Sequence, residues 1–98
     1  MNIQAMMKQA QKLQKDMLNE KSKIDEKIYE AKSSFVTVKV KGTKEVIEVK
    51  IDADTLEKDD IEMLQDMILV AINDANHQID AETEEKMGKY TQGMPGLF

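Results

Sequence analysis

Between residues 35 and 51 the hydrophobic period becomes strict alternation, and this limits the possible folds more than any other feature. In FVTVKVK (35–41), Val36, Val38 and Val40 fall on one side of an extended chain; Phe35, Thr37, Lys39 and Lys41 fall on the other. VIEVKI (46–51) continues the alternation, with Ile47, Val49 and Ile51 on one face. The link between them, GTKE (42–45), supplies a glycine and polar residues. The pattern predicts a β-hairpin with one buried and one wetted face. A lone hairpin is marginal in water, so the flanking segments must cover it.

Those segments have helical spacing. Residues 2 to about 30 carry Ile3, Met6, Ala10, Leu13, Met17 and Ile24 at steps of three, four and seven, without an interior Gly or Pro. The stripe is narrow, closer to a coiled-coil seam than to a broad core face, and Glu20 interrupts it. In KIYEAKS (27–33), Tyr29 and Ala31 alternate with charges, so a third strand competes there with continuation of the helix. A second helix is expected from Asp59, where DDIE offers an N-cap with Glu62 three residues on. One stripe of it runs Ile61, Leu64, Ile68, Ile72, Ala75 and Ile79; Met63, Met67 and Val70 lie on a different side. A helix apolar on two sides is covered twice. The sheet can cover one side, and a second copy of the chain the other, which makes Met63, Met67 and Val70 the expected dimer interface. Beyond Ile79 the stretch DAETEEK is polar, and Gly88 is the expected stop. The whole reads as one α+β domain over residues 1–98, with a helix, strands and a helix in two layers.

Composition narrows the function. A chain of 98 residues buries little more than about 60% of its unfolded surface, and with 4% aromatic residues, no Trp and eight Met its core is thin. Help from a second subunit is expected. The chain has no Cys, which excludes disulfides and thiol catalysis. The longest apolar run, MILVAI (67–72), falls far short of the roughly 20 residues that cross a bilayer. The start, MNIQAMMKQAQ, lacks the basic opening and long apolar stretch of a secretory signal, so a soluble, cytoplasmic protein is expected. The one histidine, His77, lies opposite the main stripe of its helix with no nucleophile–base partner in view. Asp52, Asp54, Glu57, Asp59 and Asp60 lack the spacing and central glycine of a calcium loop, and Gly42 reads as a turn. No catalytic residue, metal, cofactor or small-molecule substrate is expected.

The net charge of −5 argues against nucleic acid, but its distribution does not. Residues 1–32 and 33–51 each carry +2, and residues 52–98 carry −9. All fourteen positive residues are lysines, which meet phosphate as point charges. Residues 1–15 hold Lys8, Lys12 and Lys15 and no acid. At about 100° per residue these three share a face opposite the Ile3–Ala10–Met17 stripe, and Lys23 extends the row. Such a row suits a phosphate backbone; a merely solvated helix face has the same composition.

Four stretches in order, MMKQAQKLQKDM (6–17), VKIDADTL (49–56), DDIEMLQDMILVAINDA (59–75) and MGKYTQGMPGLF (87–98), resemble the YbaB/EbfC nucleoid-associated proteins of bacteria. The resemblance spans essentially the whole chain. It implies an α-β-β-β-α subunit with a three-stranded antiparallel sheet and long terminal helices. It also implies a tweezer-like homodimer in the cytoplasm and nucleoid that binds double-stranded DNA and alters its conformation. It favours the strand at 27–33. Where the family often has glycines before the second strand, this chain has AKSSF (31–35). The tail, broken by Gly93, Pro95 and Gly96, cannot continue a helix; it is expected to dock weakly through Met94, Leu97 and Phe98. The expected DNA contacts are Lys8, Lys12, Lys15 and Lys23, joined by Lys86 and Lys89. The competing reading is a prefoldin-like protein-binding module that uses Met-rich helix faces.

Overall fold

The structure, a computed structural model, describes residues 2–91. Its elements are α1 (Ile3–Glu26), β1 (Ile28–Ser33), β2 (Val36–Lys41), β3 (Val46–Ile51) and α2 (Asp60–Thr91). The strands form one antiparallel sheet in the order β1-β2-β3. α1 opens on Asn2, whose side chain accepts from the Ala5 N–H at 3.2 Å. It stops at Glu26 because the next apolar residues have the wrong period for it. Tyr29 and Ala31 lie opposite Val40 and Val38 of β2, and all four are buried. A helix would set two residues at that spacing about 200° apart; a strand sets them side by side.

Val36, Val38 and Val40 are fully buried, as their alternation predicts. α2 covers them, laying Leu64, Met67, Ile68, Ala71, Ile72, Ala75 and Ile79 on β1 and β2. Ala71 and Ala75, both without exposed surface, let the helix backbone approach the sheet closely. Two stripe assignments are corrected. Met67, expected beside Met63 and Val70, packs on this core, and Ile61 stays exposed in the first turn, ahead of the core-packed run that begins at Leu64. α2 begins at Asp60, which leaves Asp59 at the N-cap position as expected; in the turn before it the Asp60 carboxylate accepts from the Glu57 N–H at 2.9 Å.

β3 departs further from expectation, since all six of its residues are exposed. Register sets Val49 opposite Val38 and Ile51 opposite Val36, so both point to the core side. α2, however, packs on β1 and β2 and leaves this strand uncovered. A bulge between Lys39 and Val40 pairs Val40 with Val46 and makes Ile47 the extra residue, which removes it from the expected row.

Gly88 does not end α2, which runs on to Thr91. The reason is a second small core, in which Met87 and Tyr90 pack on Ile24 of α1 with Met17 beside them. Burying a tyrosine and a methionine outweighs the roughly 1 kcal/mol that a mid-helix glycine costs. The rest of the α1 stripe has no such cover: Ile3, Met6 and Leu13 are exposed, so the first half of α1 projects from the body. The radius of gyration, 19.5 Å, far exceeds the about 13 Å of a compact chain this size, and the longest dimension is 72 Å.

The two turns differ in what they require. Ser34, within AKSSF, holds φ at 53°, a conformation that glycine adopts more easily. Gly42 is needed for space: a Cβ there would stand 1.7 Å from the Ile24 carbonyl oxygen. Its N–H donates to the Lys27 carbonyl at 3.0 Å, which pins the hairpin turn to the end of α1. Met94, Leu97 and Phe98, expected to dock, lie outside the described residues.

Candidate nucleic-acid interface

Lys8, Lys12 and Lys15 are exposed on the projecting half of α1, and none has an ion-pair partner among the described residues. Their direction follows from helix geometry. α1 meets α2 through Met17 and Ile24, and the lysine row lies about 180° around the helix from those residues. The row therefore turns away from α2. The opposite side of the same helix tip exposes Ile3, Met6 and Met7, so the tip is basic on one side and apolar on the other.

Lys23, Lys86 and Lys89 sit lower, where α2 packs on α1. Lys23 is 75% exposed and only 3.8 Å from Glu20, an i,i+3 pair of little energetic weight. Lys23 and Lys86 line one polar notch with Glu20, Lys27 and Glu82. Lys89 stands over the Tyr90 ring at 5.0 Å. The six lysines thus divide into an uncompensated group on the arm and a group at its base, of which Lys23 and Lys86 share a notch with carboxylates. His77 is exposed, as expected.

Pattern reading missed Lys27. Its Nζ lies 2.9 and 3.0 Å from the two Glu82 oxygens and 5.2 Å from the centroid of the Tyr29 ring. The Tyr29 hydroxyl donates to the same carboxylate. This triad ties the start of β1 to α2. Burial, then the bond to Glu82, pushes the Tyr29 hydroxyl above its ordinary value. The Tyr29 hydrogen bond, then the one from Lys27, holds Glu82 below the usual carboxylate range. Folding therefore favours ionised Glu82. Its contribution is complete above the unfolded value of about 4.3 and fades as pH falls through the lower folded value. Glu82→Gln should lower the melting temperature at pH 7, and the gap between parent and variant should narrow as pH falls below about 4, as thermal unfolding followed by circular dichroism across that range would show.

The described residues thus join a projecting basic helix to a small sheet and a long covering helix. The model of the YbaB/EbfC DNA-binding family matches residues 1–94. A nucleoid-associated protein of Bacillus licheniformis is 52% identical over 101 residues, with 99% of this chain and 94% of that one aligned. One of Oceanobacillus iheyensis is 46% identical over 99% and 97%, and one of Ligilactobacillus salivarius 42% identical over 99% and 95%. An uncharacterised Helicobacter pylori protein of known crystal structure shares the fold, with a TM-score of 0.74 at 21% identity over 92% of this chain and 97% of that one. The chain belongs to the YbaB/EbfC family, which is a family of DNA-binding proteins and not of enzymes.

Proposed function

We propose that this chain forms a homodimer that grips double-stranded DNA through phosphate contacts from α1, altering the path of the duplex within the nucleoid. The observation that carries the reading is the exposed, acid-free and unpaired row Lys8, Lys12 and Lys15 on a helix that projects from the body. Lys23, Lys86 and Lys89 add charge at the base of that helix. Phosphate contacts need no guanidinium fork and carry little base readout, which suits a chain whose cations are all lysine.

The case for a dimer rests on uncovered apolar surface. Val46, Val49 and Ile51 of β3 are 38%, 43% and 39% exposed, and Met63, Leu69 and Val70 of α2 are exposed as well. Apolar side chains left open on both β3 and α2 are what a second copy of the chain would cover. Sedimentation at micromolar concentration should give twice the chain mass of 11.2 kDa. Val49→Glu would bury an unpaired charge in the interface and should yield the single-chain mass.

For DNA, the test is affinity for a random-sequence duplex at two salt concentrations. Each phosphate neutralised contributes about −0.9 to the slope of log affinity against log salt. Binding should fall by orders of magnitude between about 50 and 200 mM salt. A slope near zero, or no binding at about 50 mM, contradicts the proposal. A second reading, protein binding, is favoured by the exposed Ile3, Met6 and Met7. It predicts capture of an unfolded polypeptide that is insensitive to salt.

A further inference from the structure

We infer that the open face of the sheet is a second contact surface for the same duplex, so that the subunit meets DNA with its lysine-bearing side and holds its acidic helix outward. This inference rests on the DNA-binding reading and adds a surface to it.

The strands place their buried residues on the α2 side, which sends Glu30, Lys32, Thr37, Lys39, Lys41, Glu48 and Lys50 to the other side. Neither described helix has its main packing there: α2 covers the apolar face, and α1 packs chiefly on α2. Register then builds a row across all three strands. Lys32 pairs with Thr37, and Thr37 with Lys50. At about 4.8 Å between strands, the Lys32 and Lys50 backbones stand roughly 10 Å apart with Thr37 between them. Lys41 lies farther along β2 on the same face. Lys32, Lys41 and Lys50 are exposed and have no ion pair among the described residues, whereas Lys39 is 3.5 Å from Glu48.

That three lysines stay unpaired in a chain with nineteen acids follows from where the acids are. Twelve of the nineteen follow residue 51, on α2 and the segment before it. Glu62, Asp66, Asp74, Asp80, Glu84 and Glu85 are exposed on α2, across the sheet from the lysine face. The subunit is therefore electrostatically two-sided. The α1 row also turns away from α2, so both basic surfaces are presented away from the acidic helix. Field orientation of this kind lets a net-acidic protein approach a polyanion. It also accounts for the +2 charge of residues 33–51, which α1 does not use.

The test is lysine-selective reductive methylation of the full chain, free and bound to a 20-base-pair random duplex at about 50 mM salt, with each lysine read by mass spectrometry. Protection of Lys32, Lys41 and Lys50 relative to free protein is expected, together with protection of Lys8, Lys12 and Lys15. Protection of the α1 lysines alone overturns the second surface and leaves the DNA-binding reading standing. Protection of the sheet lysines alone supports it and moves the main site off α1. No protection at either place overturns both. In parallel, the variant K32Q/K41Q/K50Q should weaken the salt dependence, reducing the affinity loss between about 50 and 200 mM salt by roughly threefold per phosphate contact removed. An unchanged slope overturns the inference.

Discussion

Gly42→Ala is expected to destabilise the fold by about 3 kcal/mol or more, a large share of the about 5–15 kcal/mol that holds a domain together. The added methyl would sit 1.7 Å from the Ile24 carbonyl oxygen, 2.5 Å from its carbon and 3.0 Å from the Asp25 Cα. All three are backbone atoms, so no side chain can rotate aside. Relief requires moving the end of α1 away from the hairpin turn. That movement would stretch the Gly42 N–H bond to Lys27 and disturb Ile24, which Met87 and Tyr90 cover. For a chain of this size about 3 kcal/mol corresponds to a fall in melting temperature of roughly 12–24 °C. Thermal unfolding checks this, and a fall of less than about 4 °C would show that the turn and α1 are not in firm contact. Thr43→Ala, at the exposed next position, is the control and should change little.

The glycine shows where sequence reading reaches its limit. The turn at GTKE was legible because its flanks alternate. That the same glycine is also the seat of α1 depends on where a helix eighteen residues earlier comes to rest, which no local pattern encodes. Gly88 is the reverse case. Its local preference is to stop a helix, and the packing of Met87 and Tyr90 on Ile24 overrides it. The period-two runs placed Val36, Val38 and Val40 correctly, but β3 needed the bulge, which shifts one residue, and the reach of α2, which stops at β2. Among the candidate lysines, Lys8, Lys12 and Lys15 were legible because a helix face follows from spacing alone. The row Lys32–Thr37–Lys50 was not, because it exists only once three strands are in register.

The other large effect is expected from reversing the α1 row. Lys8, Lys12 and Lys15 are exposed, and lysine and glutamate are comparably good helix formers. The variant K8E/K12E/K15E should therefore keep its helix content, melting temperature and dimer mass. Its charge changes by −6 per chain, at a surface that the proposal sets against phosphate. In a dimer the row occurs twice, so up to about six phosphate neutralisations become repulsions, and each neutralisation alone contributes about 0.9 to the salt slope. Affinity at about 50 mM salt should fall by more than a hundredfold, below the range of a routine titration.

Fluorescence anisotropy of one labelled random duplex, titrated at about 50 mM salt with the parent and with K8E/K12E/K15E of verified mass and helicity, measures this directly. The account predicts saturable binding by the parent and none by the variant; equal affinity for the two proteins would contradict it.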